Sequence, residues 1–277
     1  MRELEATTAA RFAGSVGMAV AIGVFAGMLS GLFGVGGGIM VVPALVSFMS
    51  MDQRLAQGTS LVAVAPMGLA GMIGYAVSDS VDWTVALLLL AGSTVGTFVG
   101  TKLLRSLPIK ILQGSFAALL VLTALRMVFD IEEGAGHLPI DLGIGLGLVG
   151  LGLFTGALAG LMGVGGGVIM VPAQNVLFSI PSAVAKGTSL AVIVPTAIVG
   201  SIQNVRHRTA NLRIGLTVGA AGVLTSFLFS LLAVRLDPTL SAILFAILLV
   251  VSAARILMGM RGESQPQAQS GNAPPLA

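Results

Sequence analysis

Two short pieces of this chain are built to present bare backbone: Gly34-Val35-Gly36-Gly37-Gly38 and Gly163-Val164-Gly165-Gly166-Gly167, each set inside a long apolar stretch. Glycine accepts positive φ freely and has no side chain to cover its N–H, so such a piece can turn sharply and offer a cluster of donors. Where a helix begins at the cluster, near Ile39 and Val168, the positive end of its dipole adds to them, and the chemistry offered is anion binding. The candidate ligands in the two turns are Gly34, Gly36, Gly37 and Gly38, with Gly163, Gly165, Gly166 and Gly167. Further on, Gly58-Thr59-Ser60 and Gly187-Thr188-Ser189 place hydroxyls at the predicted start of the next helices, where they serve either as helix caps or as donors to a ligand. Lys186 precedes the second set and is the cation nearest to this predicted site. It reads equally as a binding charge or as a loop lysine snorkelling to the surface.

Other chemistry lacks its residues. All eleven acids (Glu3, Glu5, Asp52, Asp79, Asp82, Asp130, Glu132, Glu133, Asp141, Asp237 and Glu263) fall in predicted loops, tails or span ends, and both histidines fall in loops. No intramembrane carboxylate is left for a proton relay, no ligand pair for a metal, and no nucleophile–base pair for catalysis. Cysteine is absent, which removes disulfides and thiolate sites. No catalytic residue, metal or cofactor is therefore expected. Gln174, Asn175, Gln203 and Asn204 read as hydrogen-bonding glue between helices, and Trp83 as an interfacial anchor.

The elements that position these groups are membrane helices. Of 277 residues, 56% are apolar and 9% charged, and the mean hydropathy is +1.02, values that belong to a polytopic membrane protein. The net charge of +3 sits at loop ends, where it reports orientation in the lipid bilayer and not nucleic-acid binding. The first apolar run is longer than a signal-peptide core and is read as a retained span.

An offset of 129 maps the first half on the second: Gly36 on Gly165, Pro43 on Pro172 and Gly58 on Gly187. Apolar segments fall at 11–33, 38–50, 58–78, 83–103 and 109–129, then at 139–162, 167–179, 187–205, 211–234 and 239–259. The predicted organisation is an N-terminal cytoplasmic segment 1–10, a first transmembrane repeat 11–130, a linker 131–138, a second repeat 139–260 and a disordered cytoplasmic tail 261–277. Five crossings per repeat would invert the second relative to the first. The charges agree, because Asp79 and Asp82 lie where the second copy has Arg206, His207, Arg208 and Arg213. With both termini cytoplasmic, only Arg126, Lys186 and Arg235 of the fourteen bases fall outside. Segments 38–50 and 167–179 hold about 13 residues, roughly 20 Å of helix against a ~30 Å hydrocarbon core. They are predicted to be half-helices, with the glycine turns, and the turns at Gly58 and Gly187, sunk in the membrane. The alternative use of the glycines is close helix packing.

The duplicated Gly-Val-Gly-Gly-Gly, the Pro-Ala at 43–44 and 172–173, and the Gly-Thr-Ser-Leu at 58–61 and 187–190 together resemble the TauE/SafE family, also called the toluene sulfonate uptake permease family, over residues 11–260. That resemblance implies a bacterial inner-membrane protein that moves sulfite, organosulfonates or other sulfur-containing anions. The expected function is export of a small anion by an alternating-access carrier, with Lys186 and the glycine and hydroxyl groups as its ligands. The alternatives are ion-coupled uptake of organosulfur anions, a metal-cation carrier, and a membrane assembly factor or intramembrane enzyme. The expected partners are the small anionic substrate and the bilayer, with a homo-oligomer compatible with either.

Overall fold

The computed structural model describes residues 2–103, 121, 124–125, 141–162 and 166–262, and these are helical apart from short turns. The helices are α1 (Arg2–Phe33), α2 (Gly38–Met49), α3 (Gln53–Val77), α4 (Trp83–Leu103), α5 (Leu142–Met162), α6 (Gly167–Phe178), α7 (Ser182–Arg206), α8 (Leu212–Arg235) and α9 (Pro238–Gly262). Among the described residues four stretches are long and apolar enough to cross a membrane, at Val16–Phe33, Arg54–Val77, Ser182–Arg206 and Leu212–Arg235. Large apolar side chains such as Phe48, Leu87, Leu146 and Leu224 face outward, as lipid contact requires. Most of the fifth apolar segment and all of the linker 131–138 lie outside the described residues.

The offset of 129 holds in the backbone. Adding it to α2 and α3 returns the bounds of α6 and α7, and the left-handed residues recur in pairs: Gly37 and Gly166 at φ 73° and 69°, Ser50 and Ser179 at 50° and 52°, Asp79 and Arg208 at 53° and 57°. The short segments are 12-residue helices, about 18 Å long at 1.5 Å per residue.

The two halves are interleaved. Gly23, Gly27 and Gly31 of α1 lie on the backbone of Val218, Gly222 and Ser226 of α8, while Gly152 and Gly156 of α5 lie on Leu89 and Ser93 of α4. The numbers rise together in each pair, so these helices run parallel. Lipid tails are as apolar as leucine, so burial gives helices little reason to associate; small residues at fourth positions let backbones touch and gain dispersion contact instead. Hydroxyls reinforce the join, as Ser226 donates to the Met67 carbonyl at 2.8 Å and Thr225 to that of Val24 at 3.1 Å. In α3 and α7 the order is opposite: Leu61 meets Gly200, and Gly71 meets Leu190. These equivalent helices pack antiparallel.

Four helix ends differ from the sequence expectation. Helix α1 starts at Arg2 and not near residue 11, so most of the segment 1–10 is helical. At the other end, α9 runs two residues into the predicted tail, and 263–277 lie outside the described residues. Most consequential, α3 and α7 begin five residues before Gly58 and Gly187, which therefore sit inside helices and are not recessed turns. The chain turns at Ser50 and Ser179 instead, and the Asp52 carboxylate caps α3 by accepting from the Arg54 N–H at 3.0 Å. Gly58 and Gly187 are needed for approach: a Cβ there would strike the carbonyls of Thr209 and Ser80.

Candidate functional site

The first helix breaks at its glycines. After Phe33, Gly34, Gly36 and Gly37 take φ of 67°, 79° and 73°, which a side chain would oppose; the Gly37 carbonyl then accepts from Met40 and Val41 to start α2. In the second copy Gly166 at φ 69° starts α6, its carbonyl accepting from Ile169 and Met170. Gly38 and Gly167 are the first helical residues, while Gly163 and Gly165 lie outside the described residues. Breaking α1 orphans the carbonyls of its last turn, and Tyr75 of α3 supplies a donor: its hydroxyl lies 2.7 Å from the Gly31 carbonyl and 3.4 Å from that of Leu32. Sequence reasoning passed over Tyr75, the chain's one tyrosine. A single phenol in an apolar span, whose polar tip must find a partner, was the available signal.

The two breaks meet. A Cβ on Gly167 would lie 3.0 Å from Val35 Cα, and one on Gly36 would lie 3.1 Å from both Val64 of α3 and Ile193 of α7. Val64 and Ile193 are themselves equivalent, since 64 + 129 = 193. The breaks thus rest on the crossing of α3 with α7. One helical turn earlier on the same faces are Ser60 and Ser189, fully buried, with hydroxyls that make no hydrogen bond within the protein. Gln174 of α6 is also buried; its Nε2 donates to the carbonyls of Met170 and Ala185 at 3.1 and 3.4 Å, and its Oε1 has no partner.

Thr59 and Thr188 have a different task. The Thr59 hydroxyl accepts from the Asn211 N–H at 2.9 Å and the Thr188 hydroxyl from the Asp82 N–H at 3.0 Å. Neither caps its own helix, as the sequence allowed; each ties its helix to the first turn of a helix in the other half. Asp82 and Asn211 in turn cap α4 and α8, accepting from Val85 and Ile214 at 3.0 and 3.1 Å.

Lys186 is not in a loop and does not snorkel to the surface. It lies in the second turn of α7, 1% exposed, and a Cβ on Gly34 would come 2.5 Å from its Cα. Its ammonium donates to Ser241 of α9 at 2.6 Å and sits 6.0 Å from the centre of the Phe245 ring, which stacks on Phe33 at 5.5 Å. Among the described residues no carboxylate pairs with it. Because α3 and α7 run antiparallel, Ser60 and Ser189 fall on opposite sides of the crossing. Lys186, the Ser189 hydroxyl one turn further along α7 and the first glycine break share one side, an arrangement able to hold an anion. Ser241 and Phe245, lone small and aromatic residues in an apolar run, had no sequence signature.

A family model described as "Sulfite exporter TauE/SafE" matches residues 2–127 and 148–277. The chain is 30% identical over 213 residues to the probable membrane transporter protein YunE of Bacillus subtilis, covering 67% of this chain and 76% of that one. It is 29% identical over 217 residues to a probable membrane transporter protein of Xylella fastidiosa, covering 77% and 83%, and 28% identical over 207 residues to another of Methanocaldococcus jannaschii, covering 69% and 72%.

Proposed function

The chain belongs to the TauE/SafE family of membrane transporters, and from that premise we propose that it exports a small anion, sulfite or an organosulfonate, across a bacterial inner membrane. The observation that carries this reading is Lys186. An ammonium taken out of water, with no carboxylate paired to it among the described residues, is costly to keep, and a bound anion would offset that cost. The same charge opposes a metal-cation carrier. Ser189, one turn from Lys186, would complete the ligand set with backbone N–H groups of the first break.

The carrier would work as two inverted repeats moving against each other around a fixed site. Support comes from the antiparallel packing of the equivalent helices α3 and α7 and from the opposite charges of the equivalent residues Asp79 and Arg208. Both termini would be cytoplasmic. Asp79→Cys and Arg208→Cys, both at exposed positions in a chain without native cysteine, should label from opposite faces with an impermeant thiol reagent; labelling from one face would remove the inverted repeat.

Export needs no coupling ion. A cytosol held negative drives a monoanion outward by about 2.3 kcal/mol per 100 mV, and the spans have no carboxylate or histidine for a proton. In proteoliposomes, sulfite or methanesulfonate flux should follow an imposed potential alone. Accumulation driven by a proton or sodium gradient at zero potential would instead establish coupled uptake, for which carbonyls of the breaks could hold sodium.

A further inference from the structure

We infer that the site admits singly charged anions and rejects dianions of the same size, an inference that rests on reading Lys186 and its surroundings as the anion site. Duplication could have supplied two cations, yet the position equivalent to Lys186 is Gln57, and that equivalent to Gln174 is Leu45. The polar load is therefore one-sided, and among the described residues around the crossing Lys186 is the one cation. The Asp82 carboxylate, whose residue rests on Thr188 and which accepts from Thr84 and Val85 at the start of α4, adds a negative charge that further disfavours a second one on the ligand. The helix dipoles do not add a second positive charge, because at each break a helix C-terminus lies beside a helix N-terminus: α1 ends at Phe33 next to the start of α2, and α5 ends at Met162 next to that of α6. Their partial charges oppose each other.

The surroundings make the count matter. Lys186 is walled by the Phe245 ring, by the Gly34 backbone and by the apolar cluster that includes Phe33, Val35 and Val168. In such a medium an ion pair that sums to zero is tolerable, whereas a dianion on one ammonium leaves a net buried charge. Ser241 fits the same scheme. Its hydroxyl, 2.6 Å from the ammonium, offers a neutral acceptor that an entering anionic oxygen can replace, returning a formal charge of zero.

The test uses the full chain in proteoliposomes, with labelled methanesulfonate as substrate and with sulfate, a dianion of similar size, and methanesulfonamide, a neutral relative, as competitors. Unlabelled methanesulfonate should compete at least roughly tenfold better than either, the discrimination expected from one uncompensated charge. Lys186→Arg should keep that order, and Lys186→Gln should lower flux and level the three competitors, with both variants first shown to be monodisperse. Sulfate competing as well as methanesulfonate in the wild type would overturn the inference without any variant, as would Lys186→Gln retaining the order. Flux of anions without charge discrimination defeats only this inference; absence of any anion flux defeats the transport reading and this with it.

Discussion

The two halves share a backbone and differ in what they hang on it. In the first, the broken end of α1 is closed by the Tyr75 hydroxyl; in the second, Asn204 stands at that position and its Nδ2 donates to Gly200 within its own helix. Conversely the second half carries Lys186 and Gln174 where the first has Gln57 and Leu45. One half is braced and the other is polar. The comparison teaches that duplication sets the geometry of the crossing, while divergence decides which face of it holds charge.

The largest expected effect tests what the halves share. Gly27→Leu and Gly156→Leu each drive a side chain into the facing helix, since even a Cβ would strike Gly222 or Ser93 backbone. Both should lose roughly 3 kcal/mol, the upper end of overpacking costs, seen as lost monodisperse protein or a lowered melting temperature in detergent. An unaffected partner would break the equivalence of the two pairs. Next is Gly37→Val, which meets φ 73° and the Ala26 carbonyl at 2.8 Å. About 1–3 kcal/mol of strain is expected, with anion flux abolished while the protein remains in the membrane.

Smaller effects should separate the halves. Tyr75→Phe leaves the buried Gly31 carbonyl without its donor and should cost about 1–2 kcal/mol in thermal stability, whereas Asn204→Leu, which removes part-buried bonds to Gly200 and from the Thr209 hydroxyl at the end of its own helix, should cost less. Equal losses would erase the distinction between a braced and an unbraced break. Thr59→Val and Thr188→Val should each cost about 1 kcal/mol, and by similar amounts, because each removes the acceptor for one N–H in the opposite half.

The breaks were legible because four glycines in five residues cannot propagate a helix, and the half-helices because 12 or 13 residues are too few to span. Gly58 and Gly187 misled for the converse reason: an isolated glycine reads as a turn, but here it admits a carbonyl from the other half, a contact that no local pattern records. Lys186 was found as a candidate, yet its burial was hidden, since it depends on α9 bringing Ser241 and Phe245 over it. Tyr75 shows the same limit, as its two acceptors lie 44 and 43 residues away.

The pairing of α1 with α8 sets a condition on how the protein is made. Gly23 waits for Val218, and 218 − 23 = 195 residues separate them. At ribosomal rates of 5–20 residues per second that delay is about 10–40 s, during which the first helix to enter the bilayer keeps its glycine stripe without a mate. The pairing of α1 is therefore a late event in the synthesis of the chain, and the first span is the one most in need of a holding factor or a patient lipid neighbour.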